Sequence, residues 1–211
     1  MDNFKPKYDI LVFDFDNTLC NMNINLMGAK TTDINEKDQT LKLNGNYKSL
    51  NTLFNDYSEL VVIFTDLKKK GVKLCIASFG DFTVIKRVLS ISFPNTFDYI
   101  LTTDNIDAES NTGFIMKLFR HIIDPMCPRY YGKNIMLKTI IDKFNIQDPT
   151  KILFLDDDYS NAACSSFTKV HYHNNTKHGI TSKLLIDLVY DKNQSGGKHG
   201  SYIRYVYRST I

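Results

Sequence analysis

Three polar clusters stand where short apolar, β-rich runs end. Asp14-Phe15-Asp16-Asn17-Thr18 follows Tyr8–Phe13, Ser78 follows Val72–Ala77, and Asp156-Asp157-Asp158 follows Lys151–Leu155. Carboxylates brought together from two separate strands make a hard-oxygen site. Such a site suits Mg²⁺, which takes a few carboxylates plus water or phosphate oxygens. Lys133 opens a predicted helix just before the Lys151–Leu155 run and can reach the same place as a fixed positive charge. Cation, acids and lysine together are the equipment for handling a phosphate group.

For these clusters to meet, the runs that carry them must lie side by side. Strand-like runs at 8–13, 72–77, 99–101, 151–155 and 170–172 alternate with helix-like segments. The helical segments are expected after Ser58 as N-cap up to Gly71, after Asp81 up to about Leu89, around Gly113–Ile123, over Lys133–Phe144 and over Ser182–Val189. That alternation predicts an α/β fold, a doubly wound, Rossmann-like parallel sheet with helices on both faces. In such sheets ligands bind outside the carboxyl ends of the strands, where all three clusters fall. Residues 20–57 read as a loop or hairpin with an Asn44-Gly45 turn and a short helix near Tyr47–Phe54.

The run DFDNTL after an apolar strand resembles the first motif of the haloacid dehalogenase-like phosphatase superfamily. Ser78 in VKLCIAS matches its second motif, Lys133 in GKNIMLK is similar to its third, and FLDDDYSN to its fourth, with Asn161 four places after Asp157. The four occur in the family's order between Asp14 and Asn161, about 70% of the chain. The Asp156-Asp157 pair and Asn161 look most like the capless magnesium-dependent branch that acts on proteins and phosphotyrosine. The resemblance implies Asp14 as nucleophile, forming an aspartyl-phosphate, and Asp16 as general acid and base. Phe15 points away, so both carboxylates reach one face of an extended segment. It also implies Mg²⁺ held by Asp14, the Asp16 backbone carbonyl and Asp157, with Asp156 assisting. Ser78 would bond a phosphate oxygen, Lys133 would offset charge, and Thr18 and Asn161 would support the site.

Other candidates compete. Lys138 and Lys117 rival Lys133, but Lys138 falls a turn further into the helix. Asp158 reads as a solvated neighbour or helix cap, and His171-Tyr172-His173 as surface histidines on a strand, not a metal pair. Phe15, Phe79, Phe82 and Tyr159 sit beside the motifs, where some could meet an aryl leaving group and others must be core. Arg129-Tyr130-Tyr131 reads equally as core or as substrate rim.

The spacing bears on substrate. Fifty-nine residues separate Thr18 from Ser78, and a helix and strand consume about twenty of them. What remains, 20–57, is generous for a flap but small for a cap, and a second insertion, 104–132, is also modest. The expected organisation is one phosphatase domain over 1–191 with an enlarged flap and no large cap, then a basic, aromatic tail over 192–211. An open site favours phosphotyrosine on proteins as substrate. A small-metabolite or nucleic-acid-end phosphatase is the alternative, and a non-catalytic phospho-binding or scaffold module the second. The intact acid set argues against the last.

Composition sets outer bounds. The 211 residues are 43% hydrophobic and 23% charged, ordinary for a globular protein, with no apolar run long enough to span a bilayer. Four scattered cysteines without a CxxC pair read as reduced thiols, and no secretory signal is visible, so a cytoplasmic setting is expected. Nineteen asparagines suit an AT-rich genome. Secreted effector phosphatases of intracellular bacteria are a similar case, which would place the chain in a host cytosol. The tail holds Lys192, Lys198, Arg204 and Arg208 and no acid, leaving a body of 22 basic and 23 acidic residues. No specific nucleic acid is expected as partner. The tail is expected to dock as an edge strand, with contact to an acidic partner or anionic membrane as its other reading.

Overall fold

The computed structural model describes residues 5–106, 128–175 and 178–190. The expected helix at 113–123 and the tail at 192–211 lie outside them, as do the side chains of Arg129-Tyr130-Tyr131. In chain order the elements are β1 (Ile10–Phe13), β2 (Ile34–Asn35), β3 (Thr40–Leu43), β4 (Asn46–Ser49), α1 (Tyr57–Lys69), β5 (Lys73–Ser78) and α2 (Phe82–Ser92). Then follow β6 (Tyr99–Thr102), α3 (Pro128–Lys143), β7 (Ile152–Asp156), α4 (Ala162–Thr168), β8 (His171–Asn174) and α5 (Ser182–Val189).

Five of these strands form a parallel sheet in the order β6-β5-β1-β7-β8. Because side chains alternate along a strand, each apolar run feeds both faces. Leu11, Phe13, Leu74, Ile76, Leu153 and Leu155 meet Leu60, Ile63, Phe64 and Leu67 of α1, and α2 and α5, on one face. Ile10, Val12, Cys75, Ala77, Ile152 and Phe154 meet Met136, Leu137 and Ile140 of α3 and Cys164 of α4 on the other. Phe64 packs edge-on against Phe13, Phe93 and Phe97 at 5.8, 5.4 and 5.7 Å, so truncating it to Ala removes about 3–5 kcal/mol. Cys20, Cys75 and Cys164 are buried, and burial pushes the Cys20 thiol up to about 12, which makes it inert.

The chain runs from β1 to β5 and β6 on one side, then crosses to β7 and β8 on the other. Strand order therefore reverses at β1, and the crevice above the β1–β7 pair is where this topology places a ligand.

Residues 34–49 make a separate three-stranded antiparallel sheet, β2-β3-β4. Its hairpin turns on Asn44 and Gly45, with φ of 48° and 82°, the left-handed pair that a two-residue turn requires. Leu41, Leu43, Leu50 and Leu53 sink into the same buried cluster as α1 and α2, and Arg87 of α2 pairs with Glu36 at 2.7 Å. Part of the expected Tyr47–Phe54 helix is strand instead: Tyr47 lies in β4, and only Leu50–Leu53 form a 3₁₀ turn.

Two helix starts differ from expectation. Asp56, not Ser58, is the N-cap of α1, held in a left-handed conformation (φ 46°) while its carboxylate accepts from Ser182 N and Oγ at 3.1 and 2.9 Å. A tertiary bond thus sets where α1 begins. Helix α3 starts at Pro128, five residues before Lys133, because proline's missing N–H has no partner to lose in a first turn. The Asp81 and Gly71 signals hold. Asp81 Oδ1 accepts from Val84 N at 2.9 Å, and Gly71 (φ 83°) ends α1 with Val72 N bonding Leu67 O at 3.0 Å.

Candidate active site

Immediately after β1 the backbone folds back on itself. Asn17 takes φ 58°, and the N–H groups of Leu19 and Cys20 bond Asp14 O and Phe15 O at 3.2 and 2.8 Å. Phe15 turns into the core, edge-on to Phe54 at 6.5 Å, which leaves Asp14 and Asp16 for the opposite side. The turn is fastened from outside by Gly179 N to Asn17 O (3.1 Å) and Ile180 N to Thr18 O (2.6 Å).

Lys133 lies over the junction of the strands with its side chain fully buried. Its ammonium sits 2.8 Å from Asp14 Oδ1 and 3.1 Å from Asp156 Oδ2, and donates to Ala77 O at the end of β5. Asp156 is held in turn: its Oδ1 accepts from Asp158 N at 2.8 Å and Asn161 Nδ2 at 3.0 Å. Asp157 accepts from Asn17 Nδ2 and Thr18 Oγ1, each at 3.4 Å, linking the β7 end to the turn after β1. Ser78 is buried, with its Oγ accepting from Gly80 N at 3.2 Å. Asp158 is the expected cap, accepting from Ser160 N at 2.9 Å. Lys138 is on the outer side of α3, paired with Asp142 at 3.2 Å. His171 and His173 lie on the edge strand β8, where His171 packs against Tyr8.

Burial governs the electrostatics. It pushes the Asp14 carboxyl up to about 7 against the pull of Lys133. It pushes Asp16 up to about 6, partly offset by the N–H groups of Asn25 and Ile24, which bond Oδ1 at 3.3 and 2.7 Å. Lys133 is raised: burial works to lower it, but the charges of Asp14 and Asp156 prevail.

The residues fit a hard divalent cation. Asp14, Asp156 and Asp157 each offer an oxygen within 4.8 Å of the others, and Lys133 is a single positive charge among three carboxylates. Within that set, Asp156 is fully buried, with Oδ1 bonded at 2.8 and 3.0 Å and Oδ2 3.1 Å from Lys133, whereas Asp14 and Asp157 are partly exposed, so Asp14 and Asp157 are the better-placed ligands. The donors are all oxygens, the chemistry that Mg²⁺ prefers.

Sequence reasoning gave no role to four participants. Gly80 leaves room for Asp16: a Cβ there would lie 3.1 Å from Oδ2. Gly132 does the same for Phe79, whose Cε1 would be 2.5 Å from a Cβ. Asn175 ties the two acidic segments, donating Nδ2 to Thr18 O (3.3 Å) and N to Asp156 O (2.8 Å). Asn17 both turns the chain and donates to Asp157. Of these, only the left-handed preference of Asn17 had a local signal.

Parallel sheet order and strand-end carboxylates together define a Rossmann-like α/β core with a candidate hard-cation site at the switch in strand order. No family model and no curated protein matches the chain. Among solved structures, it is similar to a Bacteroides fragilis protein described as a haloacid dehalogenase-like hydrolase, at 18% identity and TM-score 0.50, covering 87% of this chain and 95% of that one. A Pseudomonas syringae protein described as a YrbI-family phosphatase aligns at 12% identity and TM-score 0.46, covering 95% and 93%. The 3-deoxy-D-manno-octulosonate 8-phosphate phosphatase of Moraxella catarrhalis, solved with magnesium, phosphate and its sugar, aligns at 13% identity and TM-score 0.38. That alignment covers 74% of this chain and 60% of the Moraxella chain.

Proposed function

We propose that the chain is a Mg²⁺-dependent phosphomonoesterase working through an aspartyl-phosphate, with phosphotyrosine in proteins as its substrate class. The observation that carries this reading is the meeting of Asp14, Lys133 and Asp157 above two adjacent parallel strands, with Asp16 two residues on and its carboxyl pushed up to about 6 by burial. Asp14 supplies the attacking carboxylate, aligned by Lys133 at 2.8 Å. The phosphorus–ester oxygen bond breaks as the bond to Asp14 forms, and the leaving oxygen takes the Asp16 proton. Asp16 then accepts a proton from the water that attacks phosphorus, which releases phosphate and restores Asp14.

Two roles can be assigned within Asp16. Oδ1 is occupied by Ile24 N and Asn25 N, so the proton belongs on Oδ2, on the side where Gly80 leaves space. Lys133 offsets the charge that gathers as phosphate meets the carboxylates, and Ser78 is the hydroxyl placed for a phosphate oxygen. Asp14, Asp157 and the Asp16 carbonyl would hold Mg²⁺, which when bound neutralises the phosphate dianion and polarises it toward attack.

An aromatic leaving group is favoured by what surrounds the site. Among the described residues, six large hydrophobics are exposed, and four of them, Leu26, Met27, Phe79 and Tyr159, lie on the loops that follow β1, β5 and β7. The loop bearing Leu26 and Met27 is the one whose backbone holds Asp16. Apolar surface gathered there suits an apolar leaving group. The test is a panel of phosphotyrosine peptides, phosphoserine peptides and sugar phosphates, with and without Mg²⁺. Preferred turnover of the phosphotyrosine peptides is expected; a sugar phosphate turned over a hundred times more efficiently would overturn the substrate class.

A further inference from the structure

We propose that Phe79 is a positioning residue: its ring, seated on Gly132, closes the Lys133 ammonium off from solvent and holds it between Asp14 and Asp156. The ring centroid is 5.1 Å from Lys133 Nζ, and the Phe154 ring lies 5.6 Å from the same atom. Lys133 is fully buried, whereas Phe79 is 36% exposed, so the ring spans the boundary between the ammonium and water. A long flexible side chain loses rotamer freedom when so placed, and apolar walls are what confine it.

Gly132 makes the arrangement possible. A Cβ at that position would fall 2.5 Å from Phe79 Cε1 and 3.1 Å from Cζ, so the ring occupies the space that any other residue would need. The requirement is steric, because Gly132 does not adopt a left-handed backbone. Phe79 directly follows Ser78 and Gly132 directly precedes Lys133, so the contact also ties α3, one turn in, to the end of β5. Ala77 O, accepting from Lys133, belongs to the same junction. With the ring removed, water competes for the ammonium, and the attraction between Lys133 and Asp14 weakens as the surroundings become more polar.

The experiment reads Lys133 directly. In the full chain with ¹⁵N-labelled lysine, an ammonium signal survives only where its protons exchange slowly with water. Wild type and Phe79→Tyr should both show the Lys133 signal, identified by its loss in Lys133→Met. Phe79→Ala and Gly132→Ala should accelerate its exchange at least tenfold, while thermal unfolding confirms that each variant is folded. If Gly132→Ala does not fold, Phe79→Ala alone decides. Exchange in Phe79→Ala equal to wild type would overturn the proposal, as would a wild-type ammonium exchanging like that of an exposed lysine.

A kinetic arm rests on the phosphatase reading, whereas the exchange arm does not, so failure of one is distinguishable from failure of the other. Phe79→Ala should lower kcat about tenfold for aryl and alkyl phosphates alike, and Phe79→Tyr should restore it. A loss confined to KM for aryl phosphates would mean that Phe79 only touches substrate, and would overturn the positioning role. The double variant Phe79→Ala/Gly132→Ala should lose little beyond either single change, since both remove one contact; fully additive losses would contradict the shared contact.

Discussion

Replacing Asp16 by asparagine should make the protein more stable at neutral pH while impairing it as an enzyme. Asp16 is 6% exposed, and burial raises its carboxyl from 3.8 to about 6, with the Asn25 and Ile24 N–H groups working in the opposite direction. A folded-state value above the unfolded one means that the fold favours the neutral acid. Its contribution is fully present below about 3.8, declines as pH rises through 6, and is gone above that. Ionising the group inside the fold therefore costs ~3 kcal/mol at pH 8. Asparagine keeps the Oδ1 acceptor for both N–H groups and carries no charge to bury. Asp16→Asn should then be more stable than wild type by ~3 kcal/mol at pH 8, a rise in Tm on the order of 6–12 °C for a chain of this size. The gain should vanish by about pH 3.5. Thermal unfolding in EDTA at pH 3.5, 6 and 8 measures it. Equal stability at pH 8, or a gain that does not vary with pH, would refute the burial argument. The same variant lacks a proton to give, so it should slow poor leaving groups much more than activated aryl phosphates; equal losses would refute the acid role.

Asp14→Asn and Asp14→Ala should abolish turnover with the fold retained by circular dichroism, and residual activity above about one part in a hundred would remove Asp14 as nucleophile. EDTA should abolish activity and Mg²⁺ restore it, whereas full activity in EDTA would exclude the cation from the mechanism. Gly80→Ala brings a Cβ to 3.0 Å from Ile85 Cδ1 and 3.1 Å from Asp16 Oδ2. It should cost about 1–3 kcal/mol in stability and lower kcat for poor leaving groups; wild-type rates would show that Oδ2 needs no such space.

Local sequence determined the elements, and with them most of the site. Continuous apolar runs mark the parallel strands because alternate side chains enter two cores, one on each face of the sheet. Asn44-Gly45 marks the hairpin because two successive left-handed residues are needed there, and Gly71 marks the end of α1 for the same steric reason. Asp14, Asp16, Ser78 and the Asp156-Asp157 pair were legible as candidate site residues because each stands at or just past the end of such a run. Other features are set by residues remote in the chain. Asp56 caps α1 because Ser182 bonds its carboxylate, and no local pattern near Ser58 carries that information. Pro128 fits a first turn, so α3 begins there and Lys133 lies inside it rather than at its start. Gly80, Gly132 and Asn175 matter only through an aspartate, a phenylalanine and a threonine carbonyl that packing brings beside them. The pairing that defines the site, Lys133 Nζ to Asp14 Oδ1 at 2.8 Å, joins residues 119 positions apart. Backbone sterics and periodicity act over a few residues, so they shape each strand and helix; the seating of α3 on the sheet decides that distance, and only the folded core fixes that seating.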